Sequence, residues 1–229
     1  MEIKELNKKN PYLYYICSIE NAFGIIDQGL FSRNESVKRN LIRKDFSNDE
    51  VQELRAKKSV YLSNGLEVKL HDLVCLFFNP KNTTYYVAQR DYESNKDKNL
   101  VVICFSIEEI LNDPTLAFAF TNMNASKEDV SWFNTQKEFD NIDFDTINGE
   151  YWPGPEWYGE KFENWRDTVA AEFLVYPYIE NRLINSILCK TDYQKEIFIE
   201  KVELAKNDGL LNKSLKDNIH ISKELDLLN

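Results

Sequence analysis

Histidine, glycine and paired cysteine are all scarce in this 229-residue chain, and each shortage removes a class of chemistry. Only His71 and His220 occur, so a Ser-His-Asp triad or a multi-histidine metal site has little to draw on. The seven glycines form neither a G-x-G-x-x-G nor a G-x-x-x-x-G-K-[ST] pattern, which disfavours Rossmann and P-loop phosphate binding. Cys17, Cys75, Cys104 and Cys189 stand far apart with no Cys-x-x-Cys, and three of them lie inside apolar runs. Buried reduced thiols fit that pattern better than disulfides or a metal site. No apolar run approaches the roughly 20 residues that cross a bilayer. The N-terminus also lacks the apolar stretch of a signal peptide, so a cytoplasmic protein with no membrane partner is expected.

What is present suits one packed domain over residues 1–229, with a helical tail from about residue 192. Hydrophobic residues make up 43% and aromatics 13% of the chain, ample for a core. Net charge is −10, which argues against coating nucleic acid by bulk attraction. The charge is uneven: Arg33 to Lys58 carries eight basic against five acidic residues, whereas Lys127 to Glu163 carries three Lys against ten acids. A basic island in an acidic chain can hold a phosphate, although a solvated helix face is the commoner meaning.

One stretch organises the rest. Val169-Ala-Ala-Glu-Phe-Leu-Val-Tyr176 reads as a strand ended by Pro177, and it is interrupted by a single carboxylate, Glu172. Alternation along the strand puts Glu172 on a face with Ala170 and Leu174. An unpaired carboxylate costs several kcal/mol at least, roughly, to bury, so Glu172 needs a partner, a raised pKa or a water-lined cleft. The alternative is an edge strand whose Glu points to water.

In chain order, Leu13 to Cys17 reads as a strand, Ser18 as the N-cap of a helix and Gly29 as its C-terminal stop. Phe31 to Phe46 shows no period and reads as a polar mobile loop. Ser47-Asn-Asp-Glu50 matches a capping box opening a helix to about Lys58 that carries Arg55. Leu73 to Phe78 reads as a strand buried on both faces, with His71 before it. Leu100 to Phe105 and Phe118 to Phe120 read as strands, and Ser106 caps a helix that stops before Pro114. Ser126 to Phe139 reads as helix, and Asp143 to Gly149 as a short helix. Glu150 to Trp165 reads as an acidic loop with three of the four tryptophans, suited to stacking on bases or to packing on the core. Ile184 to Leu188 is a strand and Asp192 to Lys206 an amphipathic helix; the tail from Gly209 carries no strong signal. The fold class is α+β with a mixed, mainly antiparallel sheet.

The order of these blocks resembles the DarT family of nucleic-acid ADP-ribosyltransferases, toxins paired with macrodomain-type antitoxins. Leu13 to Leu30, Gln52-Glu-Leu-Arg55, Leu70-His71-Asp72 through Tyr86, and Ala171-Glu-Phe-Leu-Val175 carry the resemblance, and together they span most of residues 12 to 190. The resemblance implies a split, clam-like sheet around an NAD cleft and transfer of ADP-ribose to a base of single-stranded DNA, thymidine first and guanosine next. Glu172 matches the catalytic glutamate, expected to hold the nicotinamide-ribose 2′-hydroxyl and oppose the positive charge that develops as nicotinamide leaves. Arg55 matches the functional arginine, placed to pair with NAD phosphate or orient the base. Tyr15, Cys17, Asn21, His71, Phe77 and Tyr86 fall at NAD-lining positions; Lys81, Trp152 and Trp157 are placed to meet nucleic acid. Tyr15, Cys17 and Phe77 replace the family's His, Thr and Tyr, and Lys81 stands where Arg is frequent. Those departures keep open RNA as the acceptor and an inactive relative that binds NAD or nucleic acid. A glycoside-type hydrolase pairing Glu172 with Glu150, Glu156 or Glu160 is a further class.

Overall fold

The computed structural model describes residues 1–41, 49–82, 85, 100–149, 159–205 and 215–221. The strands are β1 (Tyr12–Ser18), β2 (Leu30–Phe31), β3 (Ser59–Tyr61), β4 (Glu67–Lys69), β5 (Val74–Phe77), β6 (Leu100–Ser106), β7 (Ala117–Thr121), β8 (Trp132–Phe133), β9 (Glu172–Tyr176), β10 (Tyr178–Ile179), β11 (Ile184–Cys189) and β12 (Ile219–Ile221). Among the described residues, eight of them form one sheet in the order β12-β11-β6-β1-β5-β9-β7-β8, and two hairpins, β10-β2 and β3-β4, stand beside it. Only β11 and β12 run parallel within it; the other pairings are antiparallel. The α+β class with a mixed sheet is therefore what the chain forms.

The sheet is divided. β1 and β6 are in register over seven residue pairs, from Tyr12 opposite Ser106 to Ser18 opposite Leu100, and β5 pairs with β9 from Val74 opposite Val175 to Phe77 opposite Glu172. Between the two halves β1 and β5 meet only at Tyr14 opposite Phe77. Antiparallel partners share a face, so Tyr14, Phe77 and Glu172 line up across this junction.

Helices cover the opposite face. α1 (Ile3–Lys9) and α2 (Ile19–Gln28) come first; Ser18 Oγ caps α2 by accepting from Asn21 N–H at 3.2 Å, and Gly29 ends it at φ 91°. A Cβ at Gly29 would meet the Ile179 carbonyl at 2.7 Å, so the close approach and the left-handed backbone both require glycine. α5 (Ile107–Asn112) is capped by Ser106, and α8 (Asp192–Ala205) inserts Phe198 and Val202 beside Phe23 of α2. The centre of this layer is phenylalanine: Phe120 stacks on Phe139 at 4.1 Å and lies parallel to Phe173 at 6.2 Å, with Phe78 edge-on to Phe139, Phe144 and Phe173.

Several elements differ from what the sequence predicts. Part of the stretch expected as a mobile loop is β2 followed by α3 (Arg33–Lys38), which buries none of its residues and so shows no apolar period; Ser32 Oγ caps it from Glu35 N–H. In the stretch expected as one helix, β8 pairs with β7, and a 3-10 segment Gln136–Asn141 follows, because Thr135 and Glu138 close a capping box there. The Asp143–Gly149 helix is α6 (Phe144–Ile147). β5 is buried on one face only, the other being half-buried at Cys75 and Phe77. The end of the acidic loop is α7 (Glu160–Val169), so β9 begins at Glu172 itself. The tail contributes a 3-10 turn, Leu215–Asn218, and β12. No helix among the described residues is long and apolar enough to cross a membrane.

Candidate active site

Glu172 is the first residue of β9 and is only 1% exposed, so its charge must be answered nearby. The answer comes from α4 (Asp49–Ala56), whose last turn presents Arg55 as the helix's buried residue. Arg55 Nη1 donates to Glu172 Oε1 at 2.7 Å and Nη2 to Oε2 at 2.9 Å, the bidentate geometry that makes guanidinium–carboxylate pairs strong. Nη2 also lies 2.8 Å from Cys75 Sγ. Burial works against the Arg55 charge, but Glu172 and then Cys75 more than restore it and hold the guanidinium above its ordinary value. The Cys75 thiol is pushed up to about 12 by burial, against the pull of Arg55.

A loop grips the carboxylate from the other side. Ala125 N–H donates to Glu172 Oε1 at 3.0 Å, and the Glu172 backbone N–H donates to Thr121 Oγ1 at 3.0 Å, while Thr121 Oγ1 donates to the Met123 carbonyl at 2.6 Å. Three N–H groups thus reach the carboxylate, which accepts up to about four hydrogen bonds and keeps capacity for a hydroxyl.

The other expected residues divide. Phe77 stands directly opposite Glu172, its ring half-buried, with Tyr14 on its other side. His71 sits in the 3-10 turn Leu70–Asp72, and its Nε2 is buried with no hydrogen-bond partner among the described residues. Burial first, then the charges of Arg55 and Arg33, hold its imidazole below the ordinary value, against Asp72. Tyr15 and Asn21 line a recess of about 40 Å³ with Gly24 and Phe31. Cys17 is a correction: one residue's alternation from Ile16 turns it into the main core, 1% exposed, away from the Glu172 face. Lys81 lies in the turn after β5, its backbone N–H on Asn79 Oδ1 at 2.7 Å, and no hydrogen bond joins it to Glu172 or Arg55. Tyr86, Trp152, Trp157, Glu150, Glu156 and the Ser47 cap lie outside the described residues. Sequence reasoning missed Tyr14 and Cys75, although alternation from Phe77 signals Cys75. It also missed Thr121 and Ala125, whose roles no local pattern announces.

The order of this sheet and the helices packed on it is a fold shared with solved structures. The Thermus sp. 2.9 DarT in complex with ADP-ribosylated ssDNA superposes with a TM-score of 0.77 at 20% identity, covering 95% of this chain and 96% of that one. The same Thermus protein in complex with NAD+ gives 0.72 at 20% identity, over 94% and 97%. At this identity the superpositions establish the fold. A curated relative, the DNA ADP-ribosyl transferase of Thermus sp. (strain 2.9), is 26% identical over 179 residues, 76% of this chain and 79% of its own. The family profile described as "DarT: ssDNA thymidine ADP-ribosyltransferase" matches residues 14–217, so the chain belongs to the DarT family.

Proposed function

We propose that Glu172 and Arg55 are the catalytic pair with which this NAD-dependent ADP-ribosyltransferase modifies thymidine in single-stranded DNA. The bidentate Arg55–Glu172 contact carries the assignment, since it holds the carboxylate in a fixed orientation at the sheet junction. Glu172 accepts the nicotinamide-ribose 2′-hydroxyl and opposes the positive charge that grows on the ribose as the bond to nicotinamide breaks. Nicotinamide leaves with the electron pair of that bond; a nitrogen of the base supplies the pair for the new one and gives up its proton. Arg55, with both Nη atoms beside the carboxylate, is better placed to orient Glu172 and the base than to hold a phosphate.

The residues present fit NAD. The Phe77 ring faces the junction for a nicotinamide to stack on, and the orphaned His71 Nε2 offers a partner to a hydroxyl or carboxamide. Tyr15 and Asn21 are assigned to the cofactor as well; they line a small recess of their own, and Tyr15 packs against the main core from the same face of β1 as Cys17. Lys81, Trp152 and Trp157 are assigned to the nucleic acid, and the physiological reading is a cytoplasmic toxin restrained by a macrodomain-type antitoxin or used in phage defence.

The test is mass spectrometry of short single-stranded DNA and RNA oligonucleotides incubated with NAD and either the protein or Glu172→Ala. An ADP-ribose mass on thymidine-containing DNA, lost in the variant, is the expected result. An adduct confined to RNA overturns the DNA assignment, and undiminished modification by the variant overturns the role of Glu172.

A further inference from the structure

One cation at this site is not used by the chemistry above. Lys58 lies three residues after Arg55, just past the end of α4, where its backbone N–H donates to the Arg55 carbonyl at 3.1 Å. Its ammonium does not touch Glu172. It donates instead to the Ala125 carbonyl at 2.9 Å and to the Lys127 carbonyl, so it spans the turn that contains the Ala125 amide. That amide is the one on Glu172 Oε1. The ammonium also lies 5.9 Å from the centre of the Trp132 ring, a cation–π distance that holds it from the β8 side.

We propose that Lys58 is a positioning residue of the transfer reaction: it clamps residues 125–127 so that the Ala125 N–H is held on the Glu172 carboxylate. The proposal rests on the assignment of Glu172 as the catalytic acid. A carboxylate gripped only by Arg55 keeps freedom to rock in the plane of the fork; the third N–H, arriving from a different element, removes that freedom. One helical turn thereby fixes both sides of Glu172, directly through Arg55 and through the loop by Lys58.

The geometry explains why a lysine serves. Both acceptors are backbone carbonyls of one turn, and a rotatable ammonium with three donors can meet two of them and keep the third for solvent. The turn has other supports: the Ala125 side chain is buried in the small apolar cluster with Val60 and Leu174, and Lys127 N–H donates to the Asn124 carbonyl at 3.1 Å. Asn124 N–H donates to the Asp167 carbonyl at 2.9 Å, Asn124 Oδ1 accepts from Ser126 N–H and Oγ, and Lys127 Nζ pairs with Asp167 at 2.5 Å. Among the described residues, Lys58 is the hydrogen-bond donor to the Ala125 carbonyl itself.

The experiment compares wild type, Lys58→Met and Lys58→Arg in steady-state transfer from NAD to a thymidine-containing oligonucleotide, with melting temperatures. Lys58→Met is expected to lower kcat on the order of 10- to 100-fold, the cost of a small misplacement at a reacting centre. KM for NAD and oligonucleotide stays within about twofold in this outcome, and Lys58→Arg restores part of kcat. A raised KM for the oligonucleotide with kcat retained overturns the proposal in favour of a direct phosphate contact. A lower melting temperature with unchanged kinetics overturns it in favour of a structural staple. A second readout does not depend on turnover. The Ala125 amide proton is expected downfield in NMR spectra through its bond to the carboxylate, moving upfield in both Glu172→Gln and Lys58→Met. No movement in Lys58→Met overturns the clamp. Failure of wild type to modify any oligonucleotide refutes the assigned reaction, while the amide shift still decides whether Lys58 holds the loop.

Discussion

Neighbouring residues of β9, Glu172 and Phe173, follow opposite rules on its two faces, although Leu174 beside Glu172 is itself packed in an apolar cluster. On one face Phe173 and Val175 are fully buried against the phenylalanine layer, where the main driving force is the removal of apolar area from water, which has no direction. On the other, Glu172 is equally buried but held by three directional N–H contacts from two other elements, α4 and the 121–127 loop. Burial alone therefore does not separate core from site. What separates them is the kind of partner: area for Phe173, named donors for Glu172. The apolar face provides the stability that allows the polar face to keep a charge pair out of water, a pair whose desolvation offsets much of its attraction.

The comparison is broken most severely at Glu172. Glu172→Gln is expected to reduce transfer by at least about 10²–10³-fold, the scale for removing one electrostatic stabiliser. The uncompensated Arg55 should also destabilise the fold by about 3 kcal/mol, visible in urea titration. Arg55→Lys keeps the charge and loses the fork, and transfer should fall about 10- to 100-fold. Phe173→Ala tests the other face: a loss of about 3–5 kcal/mol in stability, with the activity of the molecules that remain folded at low temperature near wild type. If Phe173→Ala instead abolished activity without lowering stability, the division between faces would be wrong.

The smallest effect is the pH response of His71. Its folded pKa is lowered, so as pH falls through the unfolded value of about 6.5 the unfolded chain takes up the proton first. Its contribution to stability is constant above that pH and declines below it, down to the folded pKa. The wild-type melting temperature should therefore fall, relative to His71→Gln, as pH drops below about 6.5, and the two curves should run parallel above it.

Much of this was legible before folding was considered. The Glu172 strand, the Ser18 and Ser106 caps and the Leu100–Phe105 strand follow from alternation, capping chemistry and apolar runs, all properties of a few neighbouring residues. The failures share a cause. α3 buries none of its residues, so its six residues carry no period to detect. Trp132 and Phe133 form β8 because β7 is beside them, not because of the residues around them. Cys17 falls at an NAD-lining position of the family pattern, whereas alternation within β1 turns it into the core.

By itself the sequence determined which residue types were available: one carboxylate in an apolar strand, one arginine at the end of a helix opened by acids, and too few histidines for other chemistries. It also determined the order of elements, since each depends on contacts between residues close in the chain. Only the tertiary structure decided that Arg55 meets Glu172 across 117 residues, that the β1–β5 ladder has the single register pair Tyr14 and Phe77, and that an Ala125 amide completes the site. Those are pairings between distant segments. Their free energy exists only once both partners are desolvated in the same place, so no local pattern in the chain can record it.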